Sequence, residues 1–207
     1  MCIAVKYGIW NVSKPDPQAV ENLCRGGYPA LAARILAARG IKTPQAAQDA
    51  LDCDCQLPSP FLLTEMDVAA GRVGCAIGNH EKIAVFGDYD VDGITATCLL
   101  TDFLRGCGAD CVSYIPGRLE EGYGLNAIAL RQLHEEGVKL IVTVDCGITA
   151  VAEAKLCREL GMELVITDHH ECKDTLPQAV AVVDPHRPDG GYPHKNLSGV
   201  GIAFKLA

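Results

Sequence analysis

Apolar residues follow two different rhythms along this 207-residue chain, and the rhythm changes near residue 80. Before that point they recur at three- and four-residue intervals in short segments opened by proline: "DPQAVENL", "YPALAARILAARG" and "TPQAAQDAL". Proline suits the first helical position because the N–H it lacks would find no intrahelical partner there. Asp16 and Thr43 stand as N-caps and Gly40 as a C-terminal stop, with Leu31, Ile35 and Leu36 expected on one buried face. A fourth segment, "TEMDVAAGRVGCAIG", opens at Thr64 with Asp67 three positions on, a capping box with Asp in place of Glu. It puts Ala69, Val73, Ala76 and Ile77 at helical spacing. Together these segments predict an N-terminal helical subdomain, or brace, over 1–80 that carries no chemistry of its own.

From Lys82 the pattern becomes strand, helix, strand, helix. Short apolar runs at "KIAVF", "CVSYI", "LIVTV", "ELVIT" and "AVAVV" alternate with helical stretches. Ile94–Leu104 is apolar nearly all round and is expected to be deeply buried. Leu125–Glu136 places Leu125, Ile128, Ala129 and Leu133 on one face, and Thr149–Leu160 does the same with Val151, Ala154, Cys157 and Leu160. Strands that are continuously apolar rather than alternating are those of a parallel sheet buried on both sides. The predicted fold class over 81–207 is therefore α/β, a parallel β-sheet with helices on both faces. The final "NLSGVGIAFKLA" starts an apolar helix that meets Ala207 without a polar turn, and is expected to continue in a longer protein.

Composition changes this picture little. An apolar content of 49% and a charged content of 21% are those of a globular chain with a core. The formal net charge of −8 argues against a basic nucleic-acid binder unless the positive surface is local or lies elsewhere. The eleven cysteines include no C-x-x-C pair, so free thiols in a reducing cytoplasm are expected rather than a zinc site or a disulfide framework. No leader-type apolar region opens the chain and no stretch reaches about 18 uninterrupted apolar residues, which predicts a cytoplasmic protein with no membrane contact.

The candidate chemistry sits where strands end. "IAVF" runs into Asp88, Asp90 and Asp92, "LIVTV" into Asp145, and "ELVIT" into Asp168, His169 and His170. In a parallel sheet these carboxyl ends lie along one edge, where open α/β sheets bind ligands. Two like charges about 4 Å apart repel by about 4 kcal/mol at an effective dielectric near 20. A set of four or five carboxylates therefore calls for cations, and oxygen ligands with one or two imidazoles suit magnesium or manganese. The number of acids favours two ions over one, the clamp used for in-line attack at phosphorus. Period-two spacing would let Asp88, Asp90 and Asp92 point one way from an extended backbone. A receiver-type phosphoacceptor site is the competing reading, but it leaves the paired histidines unexplained. His80, His134, His186 and His194 are expected to be ordinary solvent-exposed histidines. A second constellation, "YIPGRLEEGYGLN", offers Arg118 to a phosphate and Tyr123 to a base, or Arg118 to a salt bridge with Glu120 or Glu121. "SGVG" at 198–201 either brings N–H groups close to an anion or permits tight packing, and packing is favoured.

"GDYDVDG", "TVDCG" and "TDHH", in that order on successive βα units, resemble the first three motifs of the DHH phosphoesterase superfamily. Within it "WNVSKPD", "PFLLTEMDVAAGRV", "IPGRLEEGYGLN" and "YPHKNLSGVGIAFKL" are similar to the RecJ family of bacterial single-stranded-DNA exonucleases, and the resemblance covers essentially the whole chain. It implies 5′-to-3′ digestion of single-stranded DNA with Mn2+ or Mg2+ in recombination and repair. It implies a metal site of Asp88, Asp90, Asp92, Asp145 and His169, in which Asp90 and Asp92 divide between two ions, Asp145 bridges them, and Asp88 is a ligand or lies just behind the ligands; His170 supports the ligands or contacts the scissile phosphate, while Asp168 orients the histidines. Arg118 then matches the family's nucleotide-pocket arginine. A fourth-motif aspartate, a second domain and an OB-fold have no place before Ala207, and Asp184 stands in the wrong context for that ligand, so weak or absent activity is expected of this stretch alone. Two alternatives remain: a DHH enzyme acting on oligoribonucleotides, cyclic dinucleotides or pyrophosphate, and a non-catalytic Cdc45-like scaffold, which should show eroded ligands.

Overall fold

The computed structural model describes residues 4–5, 8–9, 14–52, 57–117, 122 and 124–207, and the chain divides into two compact units, Met1–Leu57 and Pro58–Ala207. The first unit contains the short antiparallel strands β1 (Ala4–Val5) and β2 (Gly8–Ile9) and the helices α1 (Pro17–Arg25), α2 (Ala30–Ala38) and α3 (Pro44–Leu51). Asp16 caps α1 by accepting from Gln18 N at 3.0 Å, and Thr43 caps α3 by accepting from Ala46 N at 3.2 Å. The unit's core is built from Ala19, Leu23, Ala33, Leu36, Ala37 and Ala47. Leu31 and Ile35 do not share that face; they are 73% and 49% exposed. The small pair Ala33 and Ala37 turns inward instead, and residues two positions earlier lie about 200° round the helix from it.

The boundary also differs from the expected 80. Helix α4 (Met66–Gly78) belongs to the second unit, because Met66, Ala69, Val73 and Ala76 are buried in the same core as the sheet. Thr64 does not cap it: α4 begins after Glu65, which has φ 62 and uses its side chain elsewhere, accepting from Val182 N at 2.7 Å.

Five parallel strands follow: β3 (Ile83–Gly87), β4 (Cys111–Tyr114), β5 (Leu140–Val144), β6 (Glu163–Thr167) and β7 (Ala181–Val183), in the spatial order β4-β3-β5-β6-β7. Alternate residues face opposite cores. Ile83, Val85, Leu140, Val142 and Val144 meet α4, α5 (Val91–Gly106) and α8 (Gly199–Leu206). Ala84, Phe86, Ile141, Leu164 and Ile166 meet α6 (Ala127–Glu135) and α7 (Val151–Glu159). The α/β class with helices on both faces is thus the observed one. Helix α5 is less buried than expected. Ala96, Thr97, Leu100, Thr101 and Leu104 face inward, whereas Ile94 and Phe103 are each 42% exposed. In α6 the inward set is Ala129, Leu130 and Leu133, and Ile128 is exposed.

Strand order fixes where a ligand can bind. From β3 the chain crosses to β4 on one side, then returns to β5 on the other. The sheet's switch point therefore lies between β3 and β5, at whose carboxyl ends an open α/β sheet leaves a crevice.

Candidate metal centre

Asp88 follows β3 and Asp145 follows β5, so the switch point is flanked by two carboxylates that are 4% and 2% exposed. Asp88, Asp90 and Asp92 do not reach the site along an extended backbone. The strand ends at Gly87, Asp90 caps α5, and Asp92 already lies in its first turn. Asp90 Oδ1 accepts from Asp92 N at 2.9 Å and from Gly93 N at 3.0 Å. Gly93 permits this abrupt turn, since a Cβ there would collide with the Asp88 backbone, 2.6 Å from its nitrogen.

The three acids consequently diverge. One oxygen of each of Asp88, Asp90 and Asp145 falls within 4.8 Å of the others, and a second such group joins Asp145 to His169 and His170. Asp92 faces this second group, its Oδ2 3.6 Å from His169 Nε2. His169 Nε2 is also 2.9 Å from Asp145 Oδ1, but out of hydrogen-bonding alignment, so that buried oxygen has no hydrogen-bond partner; neither does Asp88 Oδ1. Burial, then the charges of Asp92 and Asp90, push Asp145 up to about 7, and burial also raises Asp88. Such unpartnered buried carboxylates are costly unless a cation meets them. The donor set, carboxylates with imidazole, suits a hard divalent ion.

Asp168, buried at the end of β6, spends its oxygens on the chain itself. Oδ1 accepts from His169 N at 2.7 Å and His170 N at 3.2 Å and lies 2.7 Å from His170 Nδ1, while Oδ2 accepts from Ile148 N at 2.9 Å. Its burial opposes ionisation, but these donors together hold it below the ordinary carboxylate value. The same contact raises His170 to about 9. Arg118 and Tyr123 lie outside the described residues.

Two features were weighed from the sequence and given too little. Asp184 follows β7, is 1% exposed, accepts from His186 N at 2.7 Å and is pushed up to about 7 by burial. The signal was present, since "AVV" running into Asp184 repeats the strand-then-acid pattern of the other three strands. His186 is half-buried beside it rather than solvent-exposed. The second feature is the start of α8. Its Gly199 and Val200 N–H groups donate to Asp92, so "SGVG" does approach an anion, one belonging to the chain itself.

Comparison with known proteins gives this edge its kin. The family described as DHH family, N-terminal domain, matches residues 82–207. The single-stranded-DNA-specific exonuclease RecJ of Bacillus subtilis is 44% identical over 200 residues, covering 96% of this chain and 25% of that protein. RecJ of Escherichia coli is 38% identical over 179 residues, 86% of this chain and 30% of that one. The crystal structure of RecJ from Thermus thermophilus in complex with Mn2+ superposes with a TM-score of 0.69 at 32% identity, over 94% of this chain and 27% of its own. This chain thus spans roughly a quarter of the length of the curated relatives it matches. No described helix is long and apolar enough to cross a membrane. With the matched segment running from β3 through α8, switch point included, the chain belongs to the DHH family.

Proposed function

We propose that this chain carries the metal-binding catalytic part of a cytoplasmic exonuclease specific for single-stranded DNA, acting from the 5′ end in recombination and repair with Mn2+ or Mg2+ as cofactor. The observation that carries the reading is that Asp145 belongs to both candidate ligand groups at the sheet's switch point. A carboxylate shared in this way is what a two-ion centre requires. The similarity to RecJ exonucleases supplies the substrate class.

In this reading Asp88, Asp90 and Asp145 would hold one ion, and Asp145, Asp92 and His169 would hold the other. Two divalent ions, when bound, supply an activated water and positive charge for the phosphoryl oxygens. The chain's own residues prepare for that chemistry. Asp145 and Asp88, whose burial opposes ionisation, each offer the cations an oxygen that accepts no hydrogen bond. Asp168 fixes the His170 ring through Nδ1 and favours its protonated form, which would set a positive charge beside a phosphate oxygen. Arg118 is assigned to a flanking phosphate on the family resemblance, and Tyr123 to a base on its place in the same sequence block.

The test is hydrolysis with Mn2+ by the chain extended to the length of its relatives. It is expected to degrade 5′-labelled single-stranded DNA and to leave pyrophosphate and cyclic dinucleotides intact. Preference for either small molecule would replace this reading with that of another DHH phosphoesterase.

A further inference from the structure

The first turn of α8 meets the metal centre with its backbone. Gly199 N donates to Asp92 Oδ2 at 2.7 Å and Val200 N donates to Asp92 Oδ1 at 2.8 Å. Each oxygen of that carboxylate is therefore held by one N–H and keeps lone-pair capacity for a cation. The same residue also limits a second ligand. A Cβ at position 199 would stand 2.5 Å from Asp145 Cβ and Oδ1 and 2.6 Å from its Cγ. Asp145 has little room to withdraw: it is 2% exposed, its φ is 61, and its N–H is bonded to Thr167 O at 3.1 Å.

The rest of α8 is fixed against the body of the unit. Ser198 caps it, Oγ accepting from Gly201 N at 3.2 Å, and Ile202 and Ala203 are fully buried in the core that contains α5. Lys205 Nζ donates to Pro58 O at 2.6 Å. The helix start is thus a rigid support, some 107 residues along the chain from the carboxylate it grips.

We propose that Gly199 is a positioning residue of the metal centre, orienting Asp92 through its N–H and, by lacking a side chain, leaving Asp145 the space from which it serves both ions. The inference rests on the metal reading above and adds to it an element, α8, that contributes no ligand. Groups that orient metal ligands from behind typically change affinity about 10- to 100-fold when altered.

Mn2+ titration of the full chain, followed by the electron paramagnetic resonance of free Mn2+, tests this together with the absorption spectrum of the Co2+-loaded protein. Gly199→Ala is expected to weaken Mn2+ binding by about tenfold or more and to change the Co2+ spectrum, which reports ligand geometry rather than stability. Gly201→Ala, whose Cβ would meet nothing closer than 3.4 Å, is expected to bind like the parent. Ser198→Ala should weaken binding by about threefold through the loosened helix start, and Ser198→Thr, which restores the cap, should recover it. A folded Gly199→Ala with the parent's affinity and spectrum overturns the proposal. Should Gly199→Ala not fold, parent-like binding by Ser198→Ala overturns it instead. A parent chain that binds no Mn2+ overturns the metal reading itself, and this inference with it.

Discussion

Asp90 shows how one residue can hold two jobs that a single substitution would confuse. Its carboxylate is offered to a cation group, yet Oδ1 also caps α5. Asp90→Ala should therefore abolish metal-dependent hydrolysis and also lower unfolding free energy by about 1 kcal/mol, the value of a lost cap. Asp90→Asn keeps a capping oxygen and removes the charge, so it should lose the same activity at little cost in stability. Urea unfolding beside an activity assay separates the two. A pH dependence follows from the same neighbourhood. In the metal-free chain Asp145 and Asp184 are pushed up to about 7 and His170 to about 9. Each binds its proton more tightly folded than unfolded, so each contributes stability that is lost as pH rises. For the carboxylates the loss runs from near 4 to about 7, and for His170 from 6.5 to about 9. Asp168, held below its ordinary value, acts in the opposite sense but only on the acid side. Without metal the urea midpoint should therefore be lower at about pH 8 than at about pH 5.5. Mn2+ should stabilise more at the higher pH, because it takes Asp145 as the anion.

At the scale of elements, the five strands and their alternation with helices were legible because continuous apolar runs of four or five residues have few other uses in a globular chain. The acids beyond them were legible for the same reason, as polar residues directly after buried ones. Which face a helix buries was less so. Leu31, Ile94 and Ile128 are apolar and exposed, because packing against a close neighbour selects small residues such as Ala33, Ala96 and Ala129. Divergence of Asp92 from Asp88 and Asp90 was hidden from the spacing, since a two-residue interval does not reveal that the strand has become a helix, although the family resemblance implies that Asp90 and Asp92 serve different ions. The long-range tie between the residue that precedes α4 and the segment after β7 could not be read at all. Arg187 Nη1 donates to Val182 O at 2.6 Å and meets Glu65 Oε2 at 2.9 Å, while Nε and Nη2 pair with Asp189 at 2.9 and 2.7 Å. Its side chain is 7% exposed, so a lysine, with one compact charge, cannot satisfy the set. Arg187→Lys and Arg187→Met should each cost about 2 kcal/mol or more in chemical denaturation, through acceptors left unpaired. Neither should alter Mn2+ affinity, which distinguishes this brace from the α8 support.

For the whole molecule, the division into units decides what the metal can stabilise. All seven acids and histidines assigned to the site lie between Asp88 and His170, inside Pro58–Ala207. The supports from Gly93, Gly199 and Val200 lie there too, as does the entire parallel sheet. The first unit has its own core in Ala19, Leu23, Ala33, Leu36, Ala37 and Ala47, and the groups proposed to hold metal, drawn from the described residues, include none of these. Metal should therefore act on the second unit by mass action. At a free Mn2+ concentration about 100 times the dissociation constant, one site adds about 2.7 kcal/mol to its unfolding free energy. A chain beginning at Pro58 should bind Mn2+ with the affinity of the whole and show the same increment. Calorimetric titration of the two chains measures this directly. A tenfold loss on removing residues 1–57, about 1.4 kcal/mol, would mean that the first unit supplies a ligand or fixes one. An unchanged affinity would place every determinant of the metal centre in the α/β unit, where strand order alone brings Asp88 and Asp145 to the two sides of one crevice.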